Sequence, residues 1–226
     1  MHTYKNIHII GTSHIAQESI ILITKEFSSY NPDIICVELD HGRLHALLTN
    51  AKPDYSLRGI KKYGLQGYLF AIIAGFIQRK LGNVVGIKPG SDMLCAVNLA
   101  RNNGKQLELI DQDIEITLKR FSKAFTFKEK MRIVWDIIRS PFSKKMRMDL
   151  SKIPKEELIH TMMEQLHVRY PSLYRVLIEE RNYVMAKNIY RIMNTHYDKK
   201  IMIILGAGHN ILPDLKREEH KRDKIY

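Results

Sequence analysis

Cysteine is scarce in this chain. Only two occur in 226 residues, and both have apolar neighbours (Ile34-Ile35-Cys36-Val37 and Met93-Leu94-Cys95-Ala96). That setting suits reduced core thiols and excludes a disulfide framework or a cysteine metal cluster. Thiols kept reduced point to the cytoplasm. Long apolar runs are missing as well. The longest, Tyr68 to Ile77, falls well short of the roughly 20 residues that span a bilayer. The first, Ile7 to Ile10, is of strand length and does not read as a secretory leader. A soluble chain is therefore expected. No internal repeat or low-complexity block stands out.

Acidic residues are in short supply: 24 against 36 Lys and Arg, a formal net charge of +12. Most of that excess falls in one place, since residues 119–152 hold eleven basic side chains and only Glu129, Asp136 and Asp149 as acids. The cations are interleaved there with Phe121, Phe125, Phe127, Met131, Trp135, Ile138 and Phe142. The plainer reading is a helical hairpin that packs its apolar residues and solvates its basic face. The sharper one is a surface that meets an anionic membrane peripherally. No recognition motif accompanies the charge, so no specific nucleic acid is expected.

With 45 % hydrophobic residues, residues 1–226 suffice for one compact domain, and a homo-oligomer is compatible with that. Ile7-His8-Ile9-Ile10 reads as a buried strand, followed by a helix from Ile15 to Tyr30 that Asn31-Pro32 stops. Ile34 to Val37 is a second strand, with a helix at 41–49. Asp92 to Asn102 is helical and Gln106 to Ile110 a third strand. Helices broken at Ser140-Pro141, Ile153-Pro154 and Tyr170-Pro171 fill 114–197, and Lys200 to Leu205 is the last strand. A charged tail, Lys216 to Lys224, follows Pro213. Short apolar runs alternating with helical patterns predict an α/β fold: a small, mostly parallel sheet surrounded by many helices, with helical insertions at about 53–90 and 119–170.

Each predicted parallel strand runs into polar residues. The first leads to Gly11-Thr12-Ser13-His14, the second to Glu38, the third to Asp111 and the fourth to Gly206-Ala207-Gly208-His209. Carboxyl ends of parallel strands face the ligand crevice, so these positions are candidates for one site. Gly11 and Gly206 are expected where the backbone turns sharply and a ligand approaches closely. The spacing puts each histidine at the start of the following helix, where N–H groups favour a neutral imidazole. Two histidines and a carboxylate are a ligand set for zinc and related divalent ions. Glu38, directly after apolar residues, needs a partner, and Arg43 lies about one turn into the next helix. Asp40 and Asp113 read as helix N-caps. Glu179-Glu180-Arg181-Asn182, taken alone, reads as a solvated helix face.

These segments resemble the TraB/PrgY family. Gly11 to Ser19 (Gly-Thr-Ser-His-Ile-Ala-Gln-Glu-Ser) is similar to its opening motif and Cys36 to Arg43 to its second. Asp111 to Arg120 is similar to the third, in which an arginine commonly sits between the two aspartates; here that residue is Gln112. Glu179 to Ala186 resembles the Glu-Arg-Asn/Asp motif and raises Glu180 and Arg181 to site candidates. Gly206 to His209 resembles the closing motif. Relatives include pheromone-shutdown proteins and the TIKI proteins, which resemble metal-dependent proteases. The resemblance implies His14, His209 and Glu38 as holders of a divalent metal ion (Mn, Co or Zn).

Two functions are expected from this reading. One is a metal-dependent hydrolase, in the narrow case a peptidase acting on a peptide-like signal. Glu38, Arg43, Glu180 and Arg181 would be its catalytic residues, and Gly11, Ser13, Asp111, Gly206 and Gly208 would line the ligand. The other is a non-catalytic regulatory module that binds a peptide or small anionic ligand in the same crevice.

Overall fold

A computed structural model describes residues 2–12, 17–51, 90–139 and 155–223. Ser13, His14 and the 53–89 part of the first predicted insertion lie outside the described residues, as do 140–154 in the second. The fold is α/β, built on a five-stranded sheet in the order β1-β2-β5-β3-β4. Its strands are β1 (His2–Tyr4), β2 (Ile7–Thr12), β3 (Ile34–Val37), β4 (Gln106–Leu109) and β5 (Ile201–Gly206). β2, β5, β3 and β4 run parallel, while β1 returns antiparallel on β2. β1 is an addition to the four predicted strands. Its three residues, His-Thr-Tyr, carry no buried apolar run, and its turn passes through Lys5 at φ 51°.

The central strand explains itself. All six residues of β5 are buried, because parallel neighbours occupy both edges and helices cover both faces. One face packs Ile10, Ile35, Val37, Met202 and Ile204 against α1 (Gln17–Tyr30) and α3 (Ser91–Asn102). Between those helices in sequence lies α2 (His41–Thr49), capped by Asp40 as expected. The other face packs Ile7, Ile9, Cys36, Ile201, Ile203 and Leu205 against α8 (Glu180–Thr195) and α9 (Leu212–Asp223). Each isoleucine so buried contributes about 1.5–3 kcal/mol relative to exposure.

Cys36 is fully buried in this layer, and burial pushes its thiol well up. A thiol titration of the native chain should therefore find at most Cys95 reactive, and both thiols only after unfolding. Two rapidly reacting thiols in the native chain would place Cys36 outside the core.

Two local readings change. Gly11 does not end its strand; it pairs with Leu205 inside β2, and Thr12 continues to Gly206. The charged segment after Pro213 is not a tail. As α9 it is anchored by the buried Ile211 and Leu215, with proline near its start, where an N–H is dispensable. The stop at Asn31-Pro32, by contrast, works as predicted. Asn31 takes a left-handed φ of 47° and donates its N–H to the Phe27 carbonyl at 2.9 Å, closing α1 ahead of Pro32.

The described residues between 114 and 174 form α4 (Ile114–Ala124), α5 (Phe127–Arg139), α6 (Lys155–Arg169) and the short α7 (Pro171–Tyr174). A π-helical turn, Arg175–Glu179, then leads into α8. No helix among the described residues is long and apolar enough to cross a membrane.

Candidate functional site

Strand register brings the carboxyl ends of β2, β5, β3 and β4 to one edge of the sheet. Of the residues predicted to converge, Glu38, Asp111 and His209 meet there, joined by Arg43 and Arg181. Glu38 leaves β3 directly and is 5 % exposed. Its Oε2 accepts the Gly206 N–H at 2.7 Å, so the last residue of β5 holds the carboxylate in place. Its Oε1 meets the Arg181 guanidinium and lies 3.2 Å from His209 Nε2.

The expected Glu38–Arg43 pair does not form. Arg43 instead bonds Asp40, with Nε to Oδ2 at 2.6 Å, and reaches Asp111 through Nη2. Asp40 is both the N-cap of α2, accepting the Arg43 N–H at 3.0 Å, and this ion-pair partner. One helical turn carries the guanidinium towards the neighbouring strand end, where Asp111 follows β4, rather than back to Glu38. Glu38's partner comes from α8. Arg181 grips Asp111 in a two-pronged contact, Nε to Oδ1 at 3.1 Å and Nη2 to Oδ2 at 2.5 Å. Its Nη1 donates to the Leu177 carbonyl at 3.2 Å. Such paired bonds are the strong, oriented kind.

Burial pushes the Asp111 carboxyl up, but the bonds and charges of Arg181 and Arg43 outweigh it and hold the group below the usual carboxylate range. Burial likewise works against the charge on Arg181. The Asp111 and Glu38 carboxylates reverse the sign, and its pKa is raised. Arg43 is raised for the same reason, by Asp111 and Asp40 against burial and the neighbouring Arg181 charge. Among the described residues, three carboxylates (Glu38, Asp40, Asp111) thus meet two guanidiniums, and Glu38 also lies beside His209.

His209 is not at a helix start, as its spacing suggests; it lies in the 207–211 connection ahead of α9. Its ring is fixed from both sides. Nδ1 is 2.6 Å from Asn182 Oδ1, and Asn182 Nδ2 donates to the Asn210 carbonyl at 3.3 Å, which orients the amide. Nδ1 is then the donor, and Nε2 points at the Glu38 carboxylate. A lone pair facing a carboxylate is repulsive, so that position suits a proton or a cation. Metal-ligating histidines are commonly oriented in this way, through a hydrogen bond from the other ring nitrogen.

Asn182 is absent from the sequence candidates. The available signal was its place immediately after Arg181 in a motif already singled out. The π-helical turn just ahead of Glu180 is the local device here: an extra residue in the helix resets the faces that follow, and such turns recur at functional sites. Glu180 turns away from the cluster. It pairs with Arg120 at 2.9 Å and approaches Arg175 at 3.9 Å, beside a separate cavity of about 790 Å³.

A larger cavity, about 1030 Å³, opens against His209. Its walls include Ile9, Gly11, His167, Tyr174, Gly208 and His209. Gly11 therefore faces this space, and Gly208 sits under Met163 of α6. Among the described residues, no group of three or more His, Cys, Asp and Glu is arranged to hold a metal ion. Of the predicted ligands, Glu38 and His209 are adjacent, and His14 lies outside the described residues.

A profile of the TraB/PrgY/gumN family matches residues 2–220. An uncharacterized protein of Methanocaldococcus jannaschii is 36 % identical over 227 residues, covering 96 % of this chain and 55 % of its own length. TraB domain-containing proteins of Homo sapiens and Mus musculus are 24 % and 25 % identical, each over 78 % of this chain and 50 % of their own length. The chain spans about half the length of the curated relatives it matches.

Proposed function

The chain belongs to the TraB/PrgY/gumN family, and from that premise we propose that it is a metal-dependent hydrolase whose reaction centre lies at Glu38 and His209. The observation carrying the proposal is the fixed imidazole: with Nδ1 committed to Asn182, Nε2 faces Glu38 Oε1 at 3.2 Å. These two donors fit a divalent ion, and the resemblance supplies His14 as the third. When bound, such an ion lowers the pKa of a water molecule towards neutrality.

The protein's own residues have separate tasks. The Gly206 N–H and Arg181 hold the Glu38 carboxylate beside the imidazole, where it and Nε2 would take the ion together. Asp111, Asp40 and Arg43 fix Arg181 in turn. Gly11 and Gly208 leave open the floor of the adjacent cavity, which has apolar walls (Ile9, Leu205, Ile211) and room for a peptide-like substrate.

A non-catalytic crevice for an anionic ligand draws less support. Arg181 makes four hydrogen bonds to protein oxygens from its five N–H groups.

Metal analysis tests the proposal. The purified chain, supplemented with manganese, cobalt or zinc, should retain a near-stoichiometric divalent ion. His209→Ala and Glu38→Gln should each weaken retention by about 10–100-fold or more, with circular dichroism unchanged. No retained ion in any supplemented sample would sink the proposal. Retention undiminished in both variants would move the ion elsewhere.

A further inference from the structure

Helix α5 is mounted with the wrong face outward for an ordinary surface helix. Its acidic residues turn inward. Glu129 is buried, accepting the Thr126 N–H at 3.1 Å, the Thr126 hydroxyl at 2.6 Å and the Ser172 N–H at 2.8 Å. Two turns on, Asp136 bonds Arg169, with Nε to Oδ2 at 2.7 Å, and Tyr170. These contacts tie the polar side of α5 to the end of α6 and the start of α7. Three large apolar side chains point away. Phe127, Met131 and Trp135 recur every four residues, about half a turn round the axis from Glu129 and Asp136. They are 75 %, 52 % and 56 % exposed. A surface helix normally buries its apolar stripe and solvates the opposite face. An exposed apolar stripe held outward by an ion pair and by the Glu129 hydrogen bonds on the other side marks a contact surface.

Charge selects the partner. Lys119, Lys123 and Lys128 are exposed on α4 and α5, within the 119–152 stretch that carries eleven basic and three acidic residues. We propose that the outer face of α5 docks on an anionic lipid bilayer. Phe127, Met131 and Trp135 enter the interfacial layer, and the neighbouring lysines meet the headgroup phosphates and carboxylates. Tryptophan suits that depth, its ring apolar and its N–H polar. A second copy of the chain fits less well, since two like-charged segments would be brought together. The surface is independent of the Glu38–His209 centre.

Trp135 is the only tryptophan in the chain, so its emission reports the contact directly. The chain would be mixed with phosphatidylcholine vesicles with and without phosphatidylserine, with brominated lipid as quencher. With phosphatidylserine at low salt, the emission should shift to the blue and be quenched; high salt should reverse both. Phe127→Ser/Met131→Ser should abolish the shift, and Lys123→Glu/Lys128→Glu should weaken binding at least several-fold, each with unchanged circular dichroism. Three results would overturn the proposal: unchanged emission with phosphatidylserine vesicles, an equal shift on pure phosphatidylcholine, or a full shift in the serine variant. An equal blue shift with polyglutamate would also overturn it, by assigning the surface to acidic protein.

Discussion

Arg181→Ala should be among the most damaging single substitutions in the described core. It removes the cation that bonds both carboxylate oxygens of Asp111 and also reaches Glu38, while those two acids stay 8 % and 5 % exposed. Breaking a buried pair from one side costs about 3–5 kcal/mol, because the remaining charge has lost its compensation. For a domain of this size, each kcal/mol lowers the melting temperature by roughly 2–4 °C. The loss should therefore be on the order of 6–20 °C. Arg181→Lys should fall between, since it keeps the charge and loses the fork. Differential scanning calorimetry decides the matter. A variant melting within about a degree or two of the parent would mean that Glu38 and Asp111 do not depend on Arg181.

Asp111 should give the fold a distinct acid limit. Its carboxyl is held below its ordinary value despite burial, through Arg181 and Arg43. A group whose folded pKa is depressed adds stability that is fully present above its unfolded pKa, roughly 3.9. That stability is lost as the pH falls through the lower folded value. Denaturant unfolding should thus show the chain weakening steeply below about pH 4. Asp111→Asn should be less stable by about 3 kcal/mol near neutrality, since two part-buried guanidiniums lose their shared, fully buried counter-charge. The gap between the two proteins should narrow as acid protonates the parent. A gap that stays constant down to acid pH would show that the Asp111 charge contributes nothing.

Particular residues show what the sequence made legible. The buried parallel strands announced themselves, because Ile34 to Val37 and Ile201 to Leu205 are unbroken apolar runs that only a doubly covered sheet can use. The same runs located Glu38 and Gly206, and the Gln106 to Ile110 strand located Asp111, since polar residues ending parallel strands share an edge. Partnership was not legible. Whether Glu38 pairs with Arg43 or Arg181 depends on how α8 crosses the strand ends, and local spacing favoured the nearer arginine. Nor could spacing separate Glu180 from Arg181. Adjacent residues on a helix differ by about 100° in direction, and the π-helical turn before them resets which one points inward. β1 and α9 were missed for a common reason: both are polar elements held by few apolar anchors.

The position of β5 has a consequence for the order of assembly. It is the last of the five strands in the chain, yet it sits in the middle of the sheet, between β2 and β3. A nascent chain lacking it would hold two separate ribbons, β1 with β2 and β3 with β4, with no ladder joining them. Closure therefore waits for contacts between segments well over a hundred residues apart, which slows folding and leaves open strand edges for a chaperone to shield. The insertion that joins the ribbons also delivers the Gly206 N–H and His209 to Glu38. The contacts of Glu38 with Gly206 and His209 cannot form on an incomplete sheet, so this cluster is among the last parts of the fold to be assembled.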